Sequence, residues 1–172
     1  MQGWTTAAAF GRSDCERIDA ADLAQPVLAL TSLTYVAVGI GVLCCALRGR
    51  ALLAGLAGVT LVAVGVGSFT FHGPQPSWAG PVHDWPIIAL AGVCVVGVAR
   101  SARGRRWAWW AAAAVFVLGL AAYAVGRTGS PLCRPDSLWQ YHGVWHVLSS
   151  TAAGLAAWGM VPARQYRSRR CR

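Results

Sequence analysis

The chain has no lysine, few acids and little charge of either sign. Charged residues fill 12% of its 172 positions, against about 25% in soluble globular domains. Such a surface excludes an ordinary soluble domain and favours the membrane class; 56% hydrophobic residues and a mean hydropathy of +0.48 agree. All fifteen basic residues are arginine, which beside so much Ala, Gly and Trp reads as a GC-rich coding bias. The net charge of +9 fits a nucleic-acid binder by count alone, but the arginine positions argue otherwise. Residues 1–25 lack the basic-then-apolar run of a cleavable signal, so the first long apolar stretch is expected to remain as a membrane helix.

A membrane span needs about 20 mostly apolar residues. Five stretches qualify: 26–47, ended by Arg48 and Arg50; 51–71, closed by "HGPQP"; a third from about Trp85 to Ala99, extendable towards Pro81; 107–125, opening with "WAWW"; and 138–161, stopped by Pro162. The expected fold is therefore all-α, a polytopic transmembrane bundle of about five spans. Its parts are an outer segment 1–25, a helical domain 26–161 and a basic tail 162–172. Gly55, Gly58 and Gly65, or Gly39 and Gly41, offer faces for close helix packing, or simply reflect membrane-protein composition.

Arginines orient the bundle. Arg48, Arg50, Arg100, Arg103, Arg105, Arg106, Arg164, Arg167, Arg169, Arg170 and Arg172 fall on one side, which holds no acid. The other side has Arg12, Arg17, Arg127 and Arg134 with all six acidic residues. Arginine-rich loops stay cytoplasmic, so the N-terminus is expected outside and the C-terminus inside. The positive charge then faces the anionic inner leaflet, and no nucleic-acid partner is needed. Trp78, Trp85, Trp139 and Trp145 fall near the outer boundary, Trp107, Trp109, Trp110 and Trp158 near the inner one, as interfacial belts should.

This topology brings the rare polar residues together. The second span exits outward through "GSFTFH" with Ser68 and His72. The third enters just after "HDWP" with His83 and Asp84, and the fifth enters with "HGVWH", carrying His142 and His146. Every histidine belongs to this group. Ionisable residues at membrane depth are costly and mark function by default. Histidines at i and i+4 share a helix face and can ligate one ion. Adding His72 gives three imidazoles with a fourth position for water, the arrangement of catalytic rather than structural zinc. Asp84 is the acid available as general base, and Ser68 can donate a hydrogen bond to the water or to an oxyanion. Taken singly, Asp84 also reads as a helix N-cap, Ser68 as bonding the preceding turn, and His83 as a solvated loop residue.

The motifs "GSFTFH", the Asp at the start of the next helix and "HGVWH" resemble the CREST superfamily of alkaline ceramidases, adiponectin-receptor-like and haemolysin-III-like proteins. "DCERID" and the "QP" before the first span point more narrowly to the alkaline ceramidase branch. The resemblance implies an intramembrane zinc amidase that splits a ceramide-like or other N-acyl lipid into fatty acid and amine. His72, His142 and His146 are then the zinc ligands, with Asp84 and Ser68 serving the water. It also implies calcium near Asp14 and Glu16, although Ile18 stands where a further polar ligand is expected. The family has seven spans and this chain five; the loss of two preserves parity, and a second subunit or lipid would complete the cavity wall. The chain thus reads as a shortened, bacterial-type member in a cell membrane, its site near the extracytoplasmic face.

Two other classes stay open: a zinc-containing receptor or effector without catalysis, and a membrane haem protein, against which the i,i+4 spacing speaks. Cys15 and Cys133 are the only cysteines on the outer, oxidising side and are expected to pair. Cys44, Cys45 and Cys94 lie within spans as packing residues, and Cys171 is cytoplasmic.

Overall fold

Each of the five apolar stretches forms one helix in a computed structural model that describes residues 10–19, 22–100 and 105–161. The helices are α1 (Pro26–Gly49), α2 (Leu52–His72), α3 (Ala79–Arg100), α4 (Arg106–Val125) and α5 (Tyr141–Met160). The basic tail, with Cys171, and Arg103 lie outside the described residues. Helices α1 to α4 are long and apolar enough to cross a membrane. Their outer faces carry Leu30, Ile40, Val59, Val95 and Val117, all exposed, an apolar surface that water would not tolerate over such an extent. Helix α5 has 20 residues, enough length to span, but its histidines, serines and threonine lower its hydropathy. It repacks that polarity inward, against α4 and α1 with lesser contacts to α2 and α3.

Local chemistry explains most boundaries. Pro26 opens α1 at a first-turn position, where its missing N–H costs nothing. Arg50 ends it in a left-handed conformation, and Gly73 follows α2. One boundary differs from expectation: α3 begins at Ala79, so Asp84 is inside the helix rather than capping it, and Pro86 sits within it. Pro86 cannot donate to the Val82 carbonyl one turn back. That carbonyl lies against Gly67 of α2, where an added Cβ would stand 2.2 Å from it. Between α1 and α2, Gly39, Gly58 and Gly65 pack tightly, whereas Gly41 faces open space.

The helices run around the bundle in the order α3, α2, α1, α5, α4, and among the described residues α3 and α4 barely touch. Tyr35, Leu61 and Val64 form a core between α1 and α2, with Val38, Val42, Leu90 and Ala153 packed against it. Residues 10–19 fold over the end of the bundle where α1 and α5 begin and α2 ends. Cys15 is disulfide-bonded to Cys133, the pairing expected of these two cysteines. The Cys15 N–H donates to the Gly126 carbonyl and the Thr128 N–H to that of Ser13.

Glu16 substitutes for a helix cap. No side chain at Gln25 caps α1; instead the Val27 and Leu28 N–H groups donate to the two Glu16 carboxylate oxygens at 2.8 Å each. Burial pushes the Glu16 carboxyl above its ordinary range, outweighing those two bonds. A folded pKa raised in this way means that Glu16 contributes less to stability as pH rises through the window between its unfolded and folded values. Glu16→Ala is expected to cost about 1–3 kcal/mol, read from thermal unfolding in detergent. Glu16→Gln, which keeps an acceptor and needs no buried charge, should cost clearly less; an equal loss would refute the capping role.

Candidate metal centre

His72 ends α2, while His142 and His146 occupy the first two turns of α5. The three imidazoles meet. One ring nitrogen from each lies within 4.8 Å of the others, and the ring centroids are 5.4, 5.4 and 4.8 Å apart. All three residues are buried, and His72 Nε2 has no hydrogen-bond partner. A buried unpartnered nitrogen aimed at two other imidazoles is costly unless something completes it.

The other ring nitrogen of His72 and of His146 is hydrogen-bonded, which selects the tautomer, and that of His142 faces a carboxylate. Gln25, fully buried, donates through Nε2 to the Gly11 and Glu16 carbonyls. Its Oε1 must therefore face His72 Nδ1, 2.8 Å away, and accept its proton. The Thr31 hydroxyl donates to the Val27 carbonyl and lies 3.0 Å from His146 Nδ1, so it too accepts. His142 Nδ1 is 2.9 Å from Asp14 Oδ1, an ion-pair distance, although the ring is not aligned for a hydrogen bond to that oxygen. Protonated Nδ1 in His72 and His146 leaves their Nε2 lone pairs for one ion, and His142 offers a third ring nitrogen to the same point.

The remaining expected site residues divide. Ser68 is buried and lines the same cavity one turn before His72. His83 is not in a loop: it belongs to α3, stacks on Phe71 with ring centroids 4.3 Å apart, and lines the cavity. Asp84 stands away from the three imidazoles, its side chain 70% exposed, and its carboxylate accepts a bond of 2.7 Å from His83 Nδ1. It reaches the cavity only through His83, because helical geometry turns neighbouring residues to different faces. Of the residues expected near calcium, Glu16 caps α1, and Asp14 is engaged with His142 and, at 3.1 Å, with Arg127.

A cavity of about 1250 Å³ runs from the histidines down between α2, α3, α4 and α5. Its walls are mostly apolar, with Phe71, Ile87, Leu90, Phe116 and Trp145 among them, and Arg106 lies at the far end. Trp145 does not join an outer belt; it packs on Phe116 and Tyr123 inside the bundle. Trp78, Trp85, Trp107, Trp110 and Trp139 are exposed, as belt residues should be.

Sequence reasoning missed the shell supplied by Asp14, Gln25 and Thr31. A signal was present in α1: Thr31, Ser32, Thr34 and Tyr35 make a polar face at helical spacing near the depth of the histidines. Compared with protein-family models, curated proteins and solved structures, the chain matches none.

Proposed function

We propose that the protein is an intramembrane zinc-dependent hydrolase that cleaves the amide bond of an N-acyl lipid, ceramide-like or related. The reading treats it as a shortened member of the alkaline ceramidase branch. The observation that carries it is the meeting of three oriented imidazoles at the head of an apolar cavity. His72, His142 and His146 would hold the zinc, which when bound would supply Lewis acidity towards a carbonyl oxygen and activate a water near neutral pH.

The chain's own residues do the rest. The apolar walls take the acyl chain and exclude bulk water, which strengthens every electrostatic contact at the histidines. Ser68 is placed to donate to the oxyanion as the carbonyl carbon becomes tetrahedral. The His83–Asp84 pair, one helix away, is available to a headgroup amine or hydroxyl. The arginine distribution supports an orientation with the site towards the extracytoplasmic face and α5 as the fifth span.

The test is metal analysis of purified protein followed by fatty-acid release over a panel of N-acyl and O-acyl lipids. We expect one zinc per chain and release from an N-acyl lipid that chelation abolishes and zinc restores. Bound zinc with no release from any lipid, and unfolding on chelation, would instead support the receptor-like alternative.

A further inference from the structure

We infer that Asp14 is the positioning carboxylate of His142, and that the Cys15–Cys133 bridge holds it in place, so that metal affinity depends on both. The inference rests on the reading of the three histidines as metal ligands and adds a charged group from outside the helical bundle.

The three Nδ1 acceptors are not equivalent. Gln25 and Thr31 are neutral and belong to the start of α1 itself. Asp14 is ionic, its side chain 4% exposed, and lies on a segment that reaches His142 from outside the helices. A carboxylate at ion-pair distance from a ligating imidazole favours its protonated far nitrogen and raises the basicity of the ligating one, and losing such a partner typically costs about 10–100-fold in metal affinity. Arg127 offsets the buried charge at 3.1 Å and is itself steadied by donating to the Tyr123 hydroxyl at 2.9 Å. His142 thus belongs to a chain of contacts running Tyr123, Arg127, Asp14, His142, with α4 at one end and α5 at the other.

Asp14 has no helix to hold it. Its neighbours do so instead: the disulfide is one residue away, and the Asp14 and Cys15 N–H groups donate to Gly11 and Gly126. The Thr128 hydroxyl donates to the Asp14 carbonyl at 2.8 Å. Cutting the bridge frees the segment at the residue next to the carboxylate, while the imidazoles stay anchored on α2 and α5. The bridge therefore acts on the ion through Asp14.

The experiment measures zinc affinity of full-length protein in detergent by competition with a chelating dye, and records the visible spectrum of the cobalt-loaded form. Asp14→Asn is expected to weaken zinc binding about 10–100-fold and to change the cobalt spectrum, with the metal-free Tm little altered. The double variant Cys15→Ser, Cys133→Ser should weaken binding at least about tenfold, and combining it with Asp14→Asn should add little. Unchanged affinity in Asp14→Asn overturns the inference. So does a fall in the metal-free Tm with affinity intact. If Asp14→Asn does not fold, the cysteine variant decides alone: unchanged affinity overturns the inference, and weakened affinity supports it. Wild-type protein that binds neither zinc nor cobalt would instead refute the underlying metal reading.

Discussion

Replacing His146 by alanine is expected to abolish stoichiometric zinc binding and to lower any lipid hydrolysis by about 1000-fold or more, roughly 4 kcal/mol of transition-state stabilisation. His146 is 2% exposed, and its removal takes away one of the three ring nitrogens that meet. Its loss also leaves the Thr31 hydroxyl without the proton it accepts, and it empties the space against Tyr35, whose ring lies 5.9 Å away. His72→Ala should behave alike, whereas His83→Ala should retain the ion, because His83 lies outside the three-histidine group. Metal content by mass spectrometry and fatty-acid release on the same preparations decide the matter. Full zinc occupancy in His146→Ala would defeat the assignment of this histidine.

Gly67→Val is expected to disrupt the bundle more than any surface change. A Cβ at Gly67 would lie 2.2 Å from the Val82 carbonyl and 3.1 Å from the His83 Cα. These are backbone atoms, so no rotamer change relieves the clash. Helix α3 must move off α2, at a cost of about 1–3 kcal/mol or more. The movement would shift His83 and widen the cavity beside Ser68, its neighbour in sequence. Lower thermal stability together with weaker hydrolysis is the expected pair of results. Gly41→Val, in open space, is the control, and equal loss in both variants would contradict the packing argument.

The number of helices and the three-histidine group were legible because both depend on simple periodicities: apolar length for a helix and i,i+4 spacing for His142 and His146. Joining His72 to them required only the parity of the helices, which fixes the end at which each motif emerges. The start of α3 was not legible. Pro86 with Asp84 before it has the form of a helix opening, and only the packing of Val82 on Gly67 shows why the helix carries on through the proline. The contacts of Asp14 were not legible for a related reason. Its partners, His142 and Arg127, lie more than a hundred residues away, and no local pattern announces a contact of that range. Asp84 looked decisive as an acid near the histidines in sequence, yet side-chain direction, which spacing alone left open at that residue, turns it towards His83.

The slender contact between α3 and α4 leaves one flank of the cavity facing sideways. A lipid passing through that flank would never leave the bilayer, and neither would a released fatty acid. Encounter would then be governed by how many substrate molecules share each patch of membrane, and not by how much is suspended in the surrounding water. Diluting the substrate with inert phospholipid should slow the protein even when the total amount in the tube is unchanged.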